Sequence, residues 1–366
     1  MSENESHAAA ARRPRRRRSP FVSAIIGIGH ALTIILTTVL IVLVFLVAVC
    51  GVMTHGPSED AKRLFVNSMD ETSALKFIPR LFLPDDEVEA ILHPVREETR
   101  PDTFRPLSME PVDGETAEDP EETPLVQINE DSVSDELEVV DIRKSTFKGK
   151  MLIVHDPSRV IVGTLDNWGG HGLYLWEFVE KYNAVAGTNA GSFEDPNGMG
   201  NGGIPDGLVM KDGAISYGST RAYYTGVLGF DRDHVLHVGD MTGQDALDLG
   251  LVTAVSFAPG PTLIKDGVKQ LNLGGGVNPR TCVGQRADGA VLICVIEGRH
   301  PDSIGATYDD LADLMEEYGA VNAGNLDGGS SSAMIYNGEQ ITKGSNLIGA
   351  RQIATTILVL QEGGSY

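Results

Sequence analysis

The chain has 366 residues and a formal net charge of -22, with 29 Lys and Arg against 51 Asp and Glu. Outside one short arginine-rich arm it has no basic cluster, which excludes nucleic-acid binding by the remainder. Three cysteines and nine scattered histidines show no zinc-site spacing, and the length admits one or two domains.

Residues 1–20 form a basic cytoplasmic arm containing Arg12, Arg13, Arg15, Arg16, Arg17 and Arg18. Residues 21–53 contain no Asp, Glu, Lys or Arg, and a bilayer-spanning helix needs only about 20 apolar residues. A cleaved signal peptide has an apolar region of roughly 7–15 residues and a small-residue cleavage site, neither of which fits. A retained, single-pass anchor in the cell membrane is therefore expected. Because the arginines precede the span, the N-terminus is expected in the cytoplasm and the C-terminal domain outside the cell. Cys50-Gly51 suggests a lipid-modified cysteine, but Val49 is bulky for the preceding position and the apolar run is too long.

Residues 54–138 are expected to form an extracytoplasmic acidic linker or stalk, with a short helix around 61–69. From 85 to 141 the chain is acidic and dotted with proline, as in EPVDGETAEDPEETP at 110–124. Such a composition buries too little apolar surface to offset the entropy of ordering it.

The globular domain is expected over 139–366. Runs at 151–154 and 159–163 around Asp156-Pro157-Ser158 predict a hairpin, 173–182 a helix and 184–188 a buried strand. Glycine turns then separate strands at 209–210, 214–217, 226–230, 235–238, 253–257 and 262–264. TCVGQRADGAVLICV predicts a hairpin turning at Asp288-Gly289, where register decides whether Cys282 and Cys294 face each other. Leu311, Leu314 and Met315 give 308–317 a helical apolar spacing, with a glycine stop at Gly319 and a strand at 321–326 after it. Strands dominate, so the expected class is α+β, with mixed β-sheets and a few inserted helices behind one transmembrane helix and the acidic stalk.

Polar clusters fall at the strand ends, where sites are usually built. Asn189 follows a buried strand in GTNAGSF, Asp206 sits in a Pro-Asp-Gly turn, and Arg280-Thr281 opens a strand after Asn278-Pro279. A guanidinium there can grip a phosphate through two parallel hydrogen bonds. Glu297-Gly298-Arg299 ends another strand, and NLDGGSSSAM at 325–334 ends the next. In that decapeptide Asp327 follows Asn325 and Leu326, and Gly328 and Gly329 let the backbone turn so that free amides can face an anion. Glu297 and Asp327 are the best carboxylate pair for glycosidic cleavage, one donating a proton and the other stabilising or attacking the anomeric carbon. Ser330, Ser331 and Ser332 lack a nucleophile elbow and an obvious histidine base.

In order, YNAVAGTNAGSF, PDGLVMKDGAI, TAVSFAPGPTLIKDG, NPRTCVGQRADG, VIEGR and SIGATYDDLADLMEEYGAVNAGNLDGGSSSAM resemble the phosphodiester glycosidase family. The resemblance covers roughly 150–360 and implies cleavage of a sugar joined through its anomeric oxygen to a phosphodiester. It implies Asp327 and Glu297 as catalytic groups. It implies Arg280 with Gly328, Gly329, Ser330 and Ser331 for the phosphate and Asn189 beside the sugar, while Thr281, Arg299, Asn325 and Asp206 are expected as substrate contacts from their places in the polar clusters. Three departures bear on which sugar is taken. Ala190 and Ser192 stand where the family usually has Gly and Phe, Glu297 where Asp is commoner, and Ser330 where a third glycine is usual. No cofactor is expected, and the Asp and Asn loops offer oxygen ligands for at most a structural divalent cation.

The leading expectation is a membrane-anchored extracytoplasmic glycosidase acting on sugar-1-phosphodiesters of surface or secreted glycans, or on a small-molecule substrate of that class. The alternative is a non-catalytic glycan-binding or surface polysaccharide assembly module on the same fold. A metal-dependent phosphodiesterase is a third reading, separated from the first by whether phosphate stays on the sugar.

Overall fold

A computed structural model describes residues 20–72, 75–92, 126, 136–196, 200–258, 260–345 and 349–363. The arginine cluster at 12–18 and most of the acidic run, at 93–125 and 127–135, lie outside the described residues. The chain divides into two units, Met1–Pro57 and Ser58–Tyr366.

The first unit contains one long helix, α1 (Pro20–His55). Its segment Gly27–His55, 29 residues, is long and apolar enough to cross a membrane by length and composition. At about 1.5 Å per residue that segment exceeds the roughly 30 Å of a hydrocarbon core. Thr33, Thr37 and Thr54 return their hydroxyls to the carbonyls of Gly29, Thr33 and Cys50 at 2.8–2.9 Å. Their polar atoms are thus satisfied within the helix, as an apolar surrounding requires.

The second unit opens with α2 (Glu59–Asp70), whose first turn is capped by Ser58, and α3 (Asp85–Leu92), whose first turn carries Asp85, Asp86 and Glu87. Acids at that end complement the helix dipole. Val66, Leu83 and Val88 bury together with Phe65, Ile91 and Leu92 packed around them. Within the stretch expected as linker, α2 includes the short helix expected around 61–69, and the described residues at 58–72 and 75–92 form a small helical cluster. The acidic average of the stretch concealed these few apolar residues, which sit at helical spacing.

The strands of the domain begin with β1 (Leu137–Arg143), β2 (Lys148–Val154) and β3 (Val160–Thr164). Helix α4 (Leu175–Lys181) leads into β4 (Ala184–Asn189), β5 (Val209–Lys211), β6 (Ala214–Tyr217), β7 (Tyr223–Phe230) and β8 (Leu236–Thr242). After α5 (Gly243–Asp248) come β9 (Thr253–Ser256), β10 (Thr262–Lys265), β11 (Val268–Lys269), β12 (Arg280–Arg286) and β13 (Val291–Ile296). Helix α6 (Tyr308–Glu317) precedes β14 (Ala320–Leu326), β15 (Met334–Tyr336), β16 (Glu339–Gln340) and β17 (Thr355–Leu360).

Among the described residues these strands form three sheets, ordered β1-β2-β13-β12-β14-β10-β11, β16-β15-β4-β17-β3 and β6-β5-β9-β7-β8. The architecture is α+β, as expected. Each described pairing is antiparallel, so the mixture lies in sheets joined with helices and not in strand direction. One face of each sheet contributes to a shared core: Val283, Ile293 and Leu326 from the first, Val162, Met334 and Ile357 from the second, Leu228, Phe230 and Val255 from the third. The outer faces are covered by helices. Leu311, Leu314 and Met315 of α6 pack on the first sheet, Leu175 and Phe178 of α4 on the second, and Ala246 of α5 on the third. In α6 the capping box expected of a helix start is formed by Thr307 and Asp310.

The hairpin expected over 151–163 is not formed. β2 pairs with β1 and β13, whereas β3 pairs with β17 in another sheet. A short 3-10 turn, Pro157–Arg159, carries the chain between the two sheets. Two apolar runs joined by a tight turn are compatible with either outcome, because the partners that decide it lie more than 130 residues further along. Cys282 and Cys294 do stand opposite each other, buried as free thiols. Burial, with Cys294 alongside, holds the Cys282 thiol well above its ordinary pKa.

Gly226 marks where β7 bends. Its φ is +58° and an added Cβ would sit 2.3 Å from the Gly260 carbonyl oxygen and 2.5 Å from that of Phe257. Gly226→Ala is expected to destabilise the domain by well over 1 kcal/mol, since both the left-handed backbone and the backbone contacts oppose it. Urea denaturation, with the slope unchanged and the midpoint lowered, checks this.

Candidate active site

The ends of β4, β12, β13 and β14 gather most of the expected residues. Register places Thr281 opposite Leu326 and Arg280 opposite Ile296, so Asp327 emerges level with Arg280 on one side and Glu297 leaves the strand on the other. In the sheet order β13 and β14 flank β12, which sets the chains bearing Glu297 and Asp327 about 10 Å apart. Glu297 Oε1 is pinned by the Lys343 N–H at 2.7 Å.

Asp327 is partly exposed, and burial of its surroundings pushes its carboxyl up to about 6. Hydrogen bonds from Ser331 and the Gly328 amide and the charge of Arg351 oppose the rise, while Asp195 adds to it. Asn189 acts beneath it. The Asn189 Nδ2 donates to the Asp327 carbonyl at 2.5 Å, and its Oδ1 accepts from Thr281 Oγ1 at 2.9 Å. Asn189 and Thr281 are 1% and 0% exposed, so both, expected as substrate contacts, instead lock the ends of β4, β12 and β14 together. Asn325 is likewise buried, its Nδ2 bound to the Leu326 carbonyl. Asp206 lies exposed on a separate loop, its N–H held by the Ser192 carbonyl.

The amide cradle expected at Gly328-Gly329 is also corrected. The Gly329 N–H donates to the Pro279 carbonyl at 2.8 Å, and the Ser331 and Ser332 N–H groups donate to Gly328 and Gly329 carbonyls at 3.2 and 3.4 Å. A Cβ at Gly328 would lie 2.7 Å from the Pro279 carbonyl oxygen. The glycines therefore let β12 and β14 close on each other and hold no open donors for an anion.

The anion-holding geometry lies one step away. Arg280 is 3% exposed, stacks with its guanidinium 3.9 Å from the Tyr308 ring centre, and donates to the Ala306 and Gly276 carbonyls. Burial pushes the Tyr308 phenol up to about 12, so it stays neutral beneath the cation. The Arg280 Nη2 meets Glu71 Oε2 at 2.7 Å, Asn278 Nδ2 donates to the same oxygen at 2.6 Å, and the Gly276 N–H reaches Oε1 at 3.1 Å. Ser68 Oγ, one turn before Glu71, accepts the Val277 N–H at 3.0 Å. Arg299, in a left-handed conformation at φ +61°, donates to Asn278 Oδ1 at 3.1 Å. Its Nη2 would be 3.4 Å from a Cβ on Gly329, so the guanidinium lies over the turn that follows Asp327. A non-glycine residue held at positive φ costs on the order of 1–3 kcal/mol and is common at functional sites.

On the other side of Asp327 is a cavity of about 140 Å3, whose wall includes Trp176, Ser330, Ser331, Ser332 and Arg351. Arg351 is fixed by a bidentate pair with Asp195 at 2.7 and 2.8 Å and lies 4.9 Å from the Phe193 ring centre. Burial works against the Asp195 charge, but the Arg351 and Gly200 hydrogen bonds outweigh it and hold its pKa down. Sequence reasoning missed Arg351, Asp195, Tyr308 and Glu71. The first two lie in irregular loops with no periodic signal, and Glu71 lies in the segment read as linker. A larger cavity of about 350 Å3, bordered by Ile161, Lys211, Arg232 and His234, shares no lining residue with this site. Among the described residues no group of three or more His, Cys, Asp or Glu side chains could hold a metal ion.

A family model described as phosphodiester glycosidase matches residues 182–360. The SPbeta prophage-derived uncharacterized protein YomE of Bacillus subtilis (strain 168) is 32% identical over 162 residues, 42% of this chain and 25% of that protein. The chain thus matches about a quarter of that relative's length. Among solved structures, the catalytic domain of zebrafish N-acetylglucosamine-1-phosphodiester alpha-N-acetylglucosaminidase, auto-inhibited by its pro-peptide, is similar with a TM-score of 0.51 and 21% identity. That match covers 66% of this chain and 85% of the zebrafish one, and supports the fold. A hypothetical protein from Synechocystis is similar at TM-score 0.44 and 15% identity, over 61% of each chain.

Proposed function

We propose that this chain, which the phosphodiester glycosidase family model matches over residues 182–360, hydrolyses sugar-1-phosphodiester linkages in surface or secreted glycans. In this reading α1 anchors the chain in a membrane with the C-terminal domain on the outer side. The observation that carries the phosphate assignment is the carboxylate of Glu71, gripped by Arg280, Asn278 and the Gly276 amide within the same polar neighbourhood as Asp327. A carboxylate so held stands in for two oxygens of a phosphodiester, the anion that an arginine fork also matches.

The leaving oxygen departs on a phosphomonoester, whose second pKa is near 6, so it needs little help from an acid. The demand falls on the attacking water. With its carboxyl at about 6, Asp327 is largely ionised at neutral pH and suited to take a proton from that water as it bonds to the anomeric carbon. The bond from that carbon to the ester oxygen breaks, and its electron pair leaves with the phosphate. Asn189 positions Asp327 through its backbone, and Glu297 holds the Lys343 loop.

Full-length protein in detergent, incubated with methyl diesters of α-glycosyl-1-phosphates, should release free reducing sugar and a phosphomonoester. Phosphate remaining on the sugar would move the assignment to a phosphodiesterase. Binding without release across a panel of sugars would favour the non-catalytic glycan-binding or assembly module, which Ala190 and Ser192 motivate.

A second reading is favoured by the same contact. The zebrafish catalytic domain is described as auto-inhibited by its pro-peptide. Here α2 and Glu71 fill the Arg280 site from within the chain, so the segment at 58–92 would hold the enzyme back until an anionic substrate displaces the carboxylate.

A further inference from the structure

Trp176 has no role in the chemistry above, yet it forms part of the cavity beside the Ser330-Ser331-Ser332 turn. It is 48% exposed, so part of its large apolar ring system meets solvent at the cavity rim. Its indole is fixed by stacking on Tyr174, with ring centres 4.3 Å apart and planes 8° from parallel. Tyr174 is itself held, because its N–H donates to Glu177 Oε2 at 2.7 Å at the start of α4. The platform is therefore ordered before any ligand arrives.

At about 140 Å3 the cavity is smaller than the roughly 300–1,000 Å3 of ordinary ligand clefts. It holds one part of a ligand, and whatever is attached to that part must cross the rim. Ser331 joins the cavity wall to Asp327 by a hydrogen bond, so the part inside is the one beside the reacting bond. Resting on the sugar-phosphodiester reading, we infer that the exposed indole of Trp176 is a stacking platform for a second sugar ring, linked to the one being released. The substrate is then an oligosaccharide or polymer bearing the phosphodiester. A pyranose ring presents a face of C–H bonds to an aromatic surface, an amphipathic match of the kind that favours Trp where one side is wet.

The chain has two tryptophans, so Trp168→Phe leaves Trp176 as its only indole. In full-length Trp168→Phe protein in detergent, methyl maltoside should shift the emission of Trp176 while methyl α-glucoside at equal concentration leaves it much less changed. Trp176→Ala in the otherwise unaltered chain should raise KM for a maltosyl-1-phosphate methyl diester by about 3- to 10-fold, with kcat unchanged. KM for the glucosyl diester should rise much less, because that ligand meets Trp176 only where it lines the cavity. Equal effects on both diesters, or a Trp176 signal that does not distinguish the two sugars, would overturn the platform. If neither diester is hydrolysed but the disaccharide-selective signal persists, the activity fails and the platform stands. If hydrolysis proceeds without that signal, the platform fails and the activity stands.

Discussion

Asp327→Asn is expected to abolish sugar release and, at neutral pH, to make the protein more stable. Removing a positioned general base costs about 10²–10⁴ in rate, and the side chain of Asn keeps the shape while losing the charge. The stability gain follows from the carboxyl's raised pKa. It titrates at about 6 in the folded chain and near 3.9 when unfolded. Below roughly pH 4 both states are protonated and no penalty exists. Between about pH 4 and 6 the unfolded chain gives up its proton first, so wild-type stability falls as the pH rises, and above 6 the full penalty remains. Two pKa units correspond to roughly 2–3 kcal/mol at most, a penalty the Asn variant does not carry. Denaturation midpoints of the two proteins should therefore converge at pH 4 and separate at pH 8. In parallel, wild-type kcat/KM should rise through a single ionisation near pH 6 and then level. A rate that falls above pH 6 would instead make Asp327 the proton donor.

Glu71→Ala is expected to destabilise the second unit by about 2–4 kcal/mol, because it leaves Arg280 buried without a counter-charge. Arg280 is 3% exposed and cannot turn to solvent, whereas Glu71 is 25% exposed, so the cost is carried by the arginine. What separates this variant from an ordinary damaged core is its expected cure. If the Arg280, Asn278 and Gly276 group is the phosphate site, inorganic phosphate binds the vacancy and restores thermal stability in proportion to its concentration. At a hundredfold excess over Kd the recovery is about 2.7 kcal/mol. Chloride at equal ionic strength should not reproduce it. If the segment at 58–92 restrains the enzyme, the variant assayed without added phosphate should also show a higher kcat/KM for sugar phosphodiesters. A variant whose stability ignores phosphate would remove the anion assignment, and one with restored stability but unchanged activity would remove the restraint alone.

Several elements were legible before any fold was seen. The apolar spacing of 308–317 and the glycine after it specify α6, because a helix that covers a sheet writes its buried face at a 3.6-residue period. The Asp288-Gly289 turn specifies the β12–β13 hairpin, whose pairing is local. The run at 151–163 failed for the opposite reason. Its two strands take partners in different sheets, and local chemistry cannot choose between a hairpin and a crossover. At the site, Asp327, Arg280 and Arg299 were named from their positions at strand ends, and the structure gathers them. Asn189, Thr281 and Asn325 were named on the same grounds and are buried, since residue type does not tell which side of a strand end faces the ligand.

The sequence by itself determined that residues 21–53 are apolar enough to cross a membrane, that the globular part is α+β, and that acids and arginines close its strands. Those properties depend on composition and short-range spacing, which the chain carries wherever it folds. Tertiary structure alone decided that Glu297 is tied to the Lys343 amide, that the Gly329 amide is taken by the Pro279 carbonyl, and that Glu71 enters the arginine site from some 200 residues away. Each of these depends on which surfaces pack together, and free energies of burial and charge pairing act on neighbours in space without regard to their distance along the chain.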